Sequence, residues 1–430
     1  MKPRNTSPYD LFLTQAQNHH PKLSFPGGTS GGGAAAADGQ SARGTAGDFA
    51  DWREQTTAAV LATLGQLPAP VDPNPQLIAE LDHGRVVEQR WLIDVEAGLS
   101  AYATVLRPAD LAPGERRPGI LCWHGHDGQG KDTIMRPDPT TEPTAGATGA
   151  GSMTAAAGAT SGVTAAGAGS GVTAAGTGSG VTAAGAGSGV TAAGARSGVT
   201  DAGYGWRMAE GGFVTFAIDW MGRGDLDDDR KPNHRSVADG RDWCNLYYLH
   251  ATMLGRTPLG MNLAHGRVLT DFVANLPFVD ADRLGVMGAS GGGTLALWSA
   301  LADVRLRAIE IICYSDLFAV FGYRDINYCG LQIAPGLYDL VDVPDLQGLL
   351  APRPLLVDIG LYDECFRAES ALACHHRVRE IYTAAGAEDH LLLDLNPTAH
   401  GWQLGQSHEF FTNHLQPQSP ARPQAQERVR

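Results

Sequence analysis

Short apolar runs alternate with helical segments over most of the 430 residues, and this alternation limits the fold more than any other feature of the chain. The runs predict strands, and the amphipathic stretches between them predict helices. The predicted strands are Gly119–Trp123, Phe213–Ile218, Arg283–Met287, Ala308–Cys313, Pro354–Ile359 and Leu391–Leu395, with an extended, hairpin-like region at Val86–Arg107. The main predicted helices are Trp206–Glu210, Gly260–Leu276, Gly293–Leu301 and Glu369–Ala384. This order predicts an α/β fold, with one mostly parallel central sheet and helices on both of its faces.

Three segments have too few large apolar side chains to form a packed core. Residues 1–47 are expected to be a largely disordered N-terminal extension, and residues 416–430 a disordered tail. The third segment, 135–203, interrupts the domain predicted for residues 48–415 and contains a nine-residue repeat that begins with SGVTAAGAG at Ser161. One Val per repeat buries too little area to offset the entropy of ordering the backbone. A disordered Gly/Ala-rich insertion is therefore predicted, with a flexible lid or an ordered β-stack as alternatives.

Charge and cysteine content bear on partners and compartment. The formal net charge of −14 argues against nucleic acid or an anionic membrane as a partner. No apolar run approaches the roughly 20 residues that a membrane span needs, and the N-terminal residues do not resemble a signal peptide. The six cysteines are scattered without metal-type spacing and are expected to be reduced thiols. Together these features predict a cytoplasmic protein. The oligomeric state is not evident from the sequence.

The segment Gly288–Gly292 (GASGG) directly follows a predicted strand and opens into a predicted helix. A serine at such a tight turn needs small neighbours, and the turn lifts its hydroxyl above the edge of the sheet. The amide of Gly291 and the helix N-terminus then lie where an oxyanion would form. The motif also occurs by chance as a glycine-rich turn with an idle serine, but the strand before it and the helix after it favour Ser290 as a nucleophile.

A nucleophilic serine needs a base and an acid that orients the base, and in this kind of fold they follow the serine along the chain. Asp363 comes just after one predicted strand and His400 just after the last one. Both positions lie at carboxyl ends of strands, where an open α/β sheet assembles its site. We therefore predict that Ser290 attacks, His400 transfers the proton and Asp363 orients the imidazole. Asp316, which follows an earlier strand, remains an alternative acid.

The segment His124–Gly128 (HGHDG) also follows a strand, and its glycines allow backbone amides to face a developing negative charge. We predict that the amide of His126 or of Asp127 completes the oxyanion hole with that of Gly291. Two groups of residues with metal-binding side chains are not predicted to bind a metal. His124 and His126 have no evident further ligands, and the acidic run at 225–229 lacks the residue spacing of a calcium-binding loop. No metal and no cofactor are predicted.

Several segments, in this order, resemble the bacterial α/β-hydrolases grouped with dienelactone-hydrolase-like proteins and acetyl xylan esterases. The matching segments are CWHGHDGQGKD (Cys122–Asp132), YLHATMLGRTPLGMNLAHGRVLTDFV (Tyr248–Val273), GVMGASGGG (Gly285–Gly293), CGLQIAPGLYDLVDVPDLQGLLAPRPLLVDIGLYDECF (Cys329–Phe366) and AHGW (Ala399–Trp402). The resemblance covers residues 48–415 apart from the repeat. It implies the α/β-hydrolase fold, a serine triad of Ser290, Asp363 and His400, no cofactor, and activity on small-molecule esters of short acyl groups, often acetyl.

Two departures from that group bear on function. Most of its members have a short connection where this chain has the long repeat, so access to the site is expected to differ. Dienelactone hydrolases proper use a cysteine nucleophile, and Ser290 at that position favours an esterase. The alternatives are an acylaminoacyl-type peptidase, which the lack of a propeller-sized preceding domain in this sequence disfavours, and a non-catalytic binding protein on the same scaffold.

Overall fold

The computed structural model of the chain describes residues 6–26, 46–126, 129–137, 203–227, 243–327 and 329–415. The strands are β1 (Gln76–Asp82), β2 (Val86–Glu96), β3 (Leu99–Pro108), β4 (Arg117–Trp123), β5 (Val214–Ile218), β6 (Val279–Ala289), β7 (Leu306–Ile312), β8 (Leu355–Gly360) and β9 (Leu391–Asn396). They form one nine-stranded sheet in the order β1-β2-β3-β5-β4-β6-β7-β8-β9. The pairs β1–β2, β2–β3 and β3–β5 are antiparallel, and the remaining pairs are parallel. The mostly parallel sheet predicted from the apolar runs is confirmed.

Helices cover both faces of the sheet. They are α1 (Pro8–Gln17), α2 (Ala46–Ala62), α3 (Lys131–Met135), α4 (Tyr204–Glu210), α5 (Trp243–Met253), α6 (Pro258–Ala274), α7 (Gly291–Ala302), α8 (Leu337–Leu340), α9 (Val343–Gly348), α10 (Ala368–Ala384) and α11 (Ser407–Leu415). A π-helical segment at Phe318–Arg324 and 3₁₀ turns at Gly224–Leu226 and Glu388–His390 complete the described structure. No helix within these described ranges combines the length and the apolar character that crossing a membrane requires.

The strand β4 illustrates why the apolar runs are continuous rather than alternating. Leu121 and Trp123 pack into the core on one face of the sheet, and Ile120 and Cys122 pack into the core on the other face. Successive side chains of a strand point to opposite faces, so a strand that is covered on both sides needs apolar residues at every position. β5 and β8 are also buried at every residue, and Thr215 and Asp358 are their only polar side chains.

The helix α6 shows how local sequence sets an element boundary. The hydroxyl of Thr257 accepts a hydrogen bond of 3.0 Å from the amide of Gly260, and Pro258 occupies the first turn. An N-cap threonine followed by proline is a strong start signal, since it satisfies a free amide and fixes the first φ angle. The helix ends at Ala274, three residues before Pro277.

The N-terminal residues differ from the expectation of a largely disordered extension. Residues 6–26 contain α1 and pack on the domain: the amide of Leu23 donates to the carbonyl oxygen of Leu340 at 2.8 Å, and the amide of Phe25 to Oδ1 of Asp345 at 2.9 Å. The expectation rested on the Gly, Ala and Ser content of residues 26–47, which says nothing about the preceding residues. Residues 27–45 lie outside the described chain.

The predicted insertion is flanked by α3 and α4. The amide of Gly203, just before α4, donates a hydrogen bond of 3.4 Å to the carbonyl oxygen of Arg136, just after α3. The two ends of the repeat-containing segment therefore lie side by side. The predictions made for the repeat and for the C-terminal tail fall on residues 138–202 and 416–430, which lie outside the described residues.

Candidate active site

Ser290 lies in the turn between β6 and α7, with φ 57° and ψ −119°. Residues other than glycine rarely adopt this conformation, which is a mark of a strained functional turn. The amide of Ser290 donates to the carbonyl oxygen of Ile312 at 2.9 Å, and its carbonyl oxygen accepts from the amide of Gly293 at 2.8 Å. Gly292 is needed for close packing, because a Cβ there would collide with the carbonyl oxygen of Trp123. The sequence prediction of a tight strand–serine–helix turn is therefore met by the backbone.

His400 contacts Asp363 directly. Its Nδ1 lies 2.9 Å from Oδ2 and 3.1 Å from Oδ1 of that carboxylate. Oδ1 also accepts from the amides of Cys365 at 2.7 Å and Phe366 at 2.9 Å, and the Asp363 side chain is only 1% exposed. The imidazole is 30% exposed and stacks on the ring of Phe366. The carboxylate is thus fixed by the turn that follows β8, and it fixes one nitrogen of the imidazole.

The alternative acid, Asp316, is held elsewhere. It is 1% exposed, and its Oδ1 accepts from the amide of Leu317 at 2.6 Å. Burial raises the pKa of the Asp316 carboxyl to about 6. The carboxylate beside the imidazole of His400 is that of Asp363.

The loops that carry Asp363 and His400 are joined to each other. The amide of Leu361 donates to the carbonyl oxygen of Asn396, and the amide of Tyr362 to that of Thr398, each at 2.9 Å. Gly360 permits this approach, because a Cβ there would lie only 2.7 Å from the carbonyl oxygen of Ala399. The positions of the Asp363 carboxylate and the His400 imidazole are therefore fixed by two short loops, which are hydrogen-bonded to each other at the ends of neighbouring parallel strands.

Cys313 connects the serine turn to this pair, and sequence reasoning did not find it. It directly follows Ile312, which accepts the hydrogen bond from Ser290, and its φ angle is also positive, at 50°. Its Sγ lies within 4.8 Å of ligand atoms of both Asp363 and His400, and donates to the carbonyl oxygen of Gly401 at 3.0 Å. Burial raises the pKa of the Cys313 thiol, so the group is a proton donor. Its place directly after a buried strand was the signal available.

The set of residues predicted from the sequence also calls for a contact between Ser290 and His400. Within the described part of the chain, no hydrogen bond joins Oγ of Ser290 to the imidazole of His400. Hydrogen bonds between catalytic groups are often long or poorly aligned in free enzymes and shorten when substrate binds.

The loop after β4 packs against the serine turn. A Cβ on Gly125 would lie 3.4 Å from the carbonyl oxygen of Ala289 and 3.6 Å from Cβ of Ser290. The ring of His126 covers Gly291: a Cβ there would lie 2.9 Å from Nδ1 of His126 and would also collide with the ring of Trp220. The ring of His126 is therefore adjacent to Gly291, whereas Asp127 lies outside the described residues.

A buried polar cluster holds this loop in place. His124 is fully buried; its Nδ1 accepts from Nε1 of Trp220 at 3.0 Å, and its Nε2 lies 3.3 Å from Oδ1 of Asp219. Asp219 also binds Nζ of Lys131 at 2.7 Å, and the same ammonium contacts Asp225. His124 is thus a structural residue, and Asp225 is engaged in an ion pair rather than aimed at a metal.

Three-residue sets with metal-ligand chemistry occur twice among the described residues. Cys313, Asp363 and His400 form one set, and His126, Cys244 and Cys329 form the other, with the potential ligand atoms of each set within 4.8 Å of one another. The first set coincides with the proposed catalytic pair. The exposed pair His376–Glu380, at 3.7 Å, offers only two ligands.

Comparison with known proteins shows which solved structures have a similar fold. No protein-family model matches the chain. "Putative hydrolase YtaP" of Bacillus subtilis (strain 168) is 26% identical over 180 residues, which are 41% of this chain and 56% of the relative, so the chain spans about half the length of that curated relative. A structure described as a putative acetyl xylan esterase from Bacteroides fragilis NCTC 9343 superposes with a TM-score of 0.61 at 14% identity, over 92% of this chain and 83% of the other.

A glucuronoyl esterase from Solibacter usitatus superposes with a TM-score of 0.52 at 13% identity, over 88% of this chain and 95% of the other. At these identities the likeness concerns the fold. One of these neighbours is described as a putative acetyl xylan esterase, the kind of protein that the sequence motifs resemble. The chain therefore has the α/β-hydrolase fold, in the arrangement that it shares with these esterases.

Proposed function

We propose that the protein hydrolyses carboxylic esters of small acyl groups through an acyl-enzyme on Ser290. The observation that carries this proposal is the pairing of the buried Asp363 carboxylate with Nδ1 of His400, at the sheet edge where Ser290 occupies a strained turn. A serine hydroxyl alone is a poor nucleophile, and an oriented imidazole beside it usually activates it as a general base.

The proposed mechanism depends on which imidazole nitrogen of His400 is hydrogen-bonded to Asp363. Because Asp363 accepts the hydrogen bond from Nδ1 of His400, Nε2 keeps its lone pair and can take the proton of the Ser290 hydroxyl. Oγ then attacks the ester carbonyl carbon and forms a tetrahedral intermediate. Nε2–H returns the proton to the leaving alcohol as the acyl-enzyme forms. A water molecule repeats the sequence, and the acid product and free Ser290 result.

The negative oxygen of the intermediate requires amide donors that are already oriented. The amide of Gly291, at the start of α7, is one proposed donor. The amide of His126 is the other, since the ring of this residue lies against Gly291; the amide of Asp127 is the alternative from the sequence. No cofactor takes part in this proposal.

The size of the acyl group is proposed from the same contacts. The rings of Trp220 and His126 lie 4.8 Å apart between centroids, and both abut Gly291. Bulky rings beside the nucleophile leave little room for a long acyl chain, which favours acetyl. Since structural neighbours are described as acetyl xylan and glucuronoyl esterases, acetylated sugars are the first natural substrates to test.

The test is hydrolysis of p-nitrophenyl acetate, butyrate and octanoate by the wild type and by Ser290→Ala, with Ser100→Ala as the matched control. Ser100 is exposed on β3 and bonds only Asp94 among the contacts described. We expect Ser290→Ala to lower kcat by roughly 10⁴- to 10⁶-fold and the control to match the wild type. Acetate should be the best substrate. A fluorophosphonate probe should add its mass to Ser290 in the wild type only.

Other outcomes favour the alternatives. Faster cleavage of acetylated amino-acid anilides than of esters would support the peptidase. Retention of most of the hydrolytic rate by Ser290→Ala would contradict the proposal. If no ester or amide is cleaved and the probe does not label Ser290, the non-catalytic binding protein becomes the better hypothesis.

A further inference from the structure

We propose that His126, Cys244 and Cys329 form a binding site for a thiophilic metal ion of the zinc class. One ligand atom from each residue, an imidazole nitrogen and two thiol sulfurs, lies within 4.8 Å of the other two. Such a set of one imidazole and two thiols is selective: thiolates and imidazoles bind Zn²⁺ and Cu⁺, whereas Mg²⁺ and Ca²⁺ take oxygen ligands.

The spacing is close to what a bound ion needs. With zinc–sulfur bonds of about 2.3 Å and zinc–nitrogen bonds of about 2.0 Å, tetrahedral geometry sets neighbouring ligand atoms about 3.5–3.8 Å apart. Since the ligand atoms lie within 4.8 Å of one another, they need to approach by at most about 1 Å to reach this geometry, which is within reach of side-chain rotation. Three protein ligands leave a fourth position for water or a small ligand, as in zinc sites that are open to solvent.

The two cysteines are brought together by a dedicated contact between their segments. Cys244 lies in the first turn of α5, and the side-chain oxygen of Asn245 accepts a hydrogen bond of 3.2 Å from the amide of Gly330. Gly330 itself permits the approach, because a Cβ there would lie 2.5 Å from Cβ of Tyr248 and 3.1 Å from the carbonyl oxygen of Cys244. The loop that carries Cys329 is thereby held against α5.

A backbone amide contacts one of the two sulfurs. The amide of Leu331 points at Sγ of Cys329, at 3.5 Å, and a hydrogen bond from a backbone amide stabilises a metal-bound sulfur as other hydrogen bonds around a metal do. Cys244 is buried in the first turn of α5.

His126 supplies the third ligand. Its exposed ring is held at 4.8 Å from the ring of Trp220, with an angle of 66° between them, and lies over Gly291. The three ligands come from segments more than 80 residues apart in the chain, so no sequence spacing could reveal them. None of them belongs to the Ser290, Asp363 and His400 set, and the inference does not depend on the proposed ester hydrolysis.

The test is metal binding by the reduced, full-length protein with Zn²⁺ and Co²⁺ as probes. We expect about one Zn²⁺ per chain after dialysis, and a thiolate-to-cobalt charge-transfer band with Co²⁺. Cys244→Ser, Cys329→Ser and His126→Ala should each weaken zinc binding at least 10-fold, a lower bound taken from the loss caused by changing residues around a metal. Cys365→Ser, a half-buried cysteine outside the set, and Ser290→Ala should bind as the wild type does.

The cobalt spectrum of the wild type tests for thiolate coordination even where a variant fails to fold. Absence of a thiolate band, or zinc binding that survives Cys244→Ser with Cys329→Ser, would overturn the proposal. Loss of binding in His400→Ala alone would assign the ion to the other ligand set. If thiol counting finds two fewer thiols before reduction and the reduced protein binds no metal, the two cysteines form a disulfide and the inference is wrong.

Discussion

Asn396 donates a hydrogen bond of 2.7 Å from Nδ2 to Oδ1 of Asp358, and both side chains are buried. The side-chain oxygen of Asn396 in turn accepts from the hydroxyl of Thr398, two residues before His400. This pair therefore connects the interior of the sheet to the loop that carries the imidazole.

Replacing Asn396 by Ala should loosen that loop. We expect the free energy of unfolding to fall by about 1–3 kcal/mol, because a buried carboxyl loses its donor, and kcat for ester hydrolysis to fall more than KM changes. Urea unfolding and steady-state kinetics measure both effects. Asn275→Ala is the control, since Asn275 makes a bond of the same 2.7 Å length at an exposed position. Equal losses in the two variants would contradict a special role for Asn396.

The buried carboxyl of Asp358 should make stability depend on pH. Burial raises its pKa to about 7, whereas an unfolded Asp has a pKa near 3.9. Between these values the folded state holds a proton that the unfolded state releases, so stability falls as pH rises from about 4 to about 7, by up to about 1.4 kcal/mol per unit. Below that window the contribution is complete.

Asp358→Asn should remove this dependence. The variant is expected to gain stability relative to the wild type as pH rises from 5 to about 7, measured as the difference between urea midpoints at each pH. Asp316 and Asp342, whose pKa values burial raises to about 6 and about 7, remain in both proteins and cancel in the comparison. Parallel stability curves would refute the assignment to Asp358.

The choice between the two candidate acids can be made with a matched pair of variants. Asp363→Asn should lower kcat by about 10⁴-fold, because an amide in that place favours the wrong tautomer of His400. Asp316→Asn should leave kcat within about 10-fold of the wild type, since its carboxyl contacts the amide of Leu317 and not the imidazole. The reverse order of effects would exchange the two roles.

Two lysine–aspartate ion pairs of equal length should contribute differently to the stability of the protein, because one pair is buried and the other is exposed. Lys131–Asp219 and Lys22–Asp339 both measure 2.7 Å, but the side chains are 4% and 1% exposed in the first pair and 67% and 48% in the second. Lys131→Met should destabilise the protein by about 3–5 kcal/mol, because it leaves the buried carboxylate of Asp219 without its ammonium partner. Lys22→Met should cost less than about 1 kcal/mol. Thermal and urea unfolding of both variants provide the comparison, and similar losses would disprove the effect of burial.

The central parallel strands, such as β4 and β5, were predictable because they are covered on both faces and therefore read as nearly continuous apolar runs. β1 was missed for the opposite reason: most of its residues at Gln76–Asp82 are exposed, so no run or clear alternation marks it. α1 was missed because it buries only Ala16 and packs largely through polar contacts such as that of Tyr9 with the carbonyl oxygen of Arg324. The local pattern of apolar residues thus identifies helices and strands that bury much apolar surface, and it overlooks those that bury little.

The same limit applies to the site. Ser290, Asp363 and His400 could be proposed because each follows a strand, and strand ends are visible in the sequence. The contact of Trp220 with Gly291 and the meeting of Cys244 with Cys329 depend on how loops far apart in the chain pack together. No local periodicity encodes such contacts, so they become visible only in the folded structure.

The hydrogen bond between Gly203 and Arg136 has an evolutionary consequence. Tandem repeats in DNA gain and lose units by slippage during replication. Since Arg136 and Gly203 are hydrogen-bonded to each other, adding or removing a nine-residue unit between them should leave α3 and α4 in place. Repeat number is therefore expected to drift between closely related strains while the rest of the gene stays under selection, which makes it a marker of recent descent.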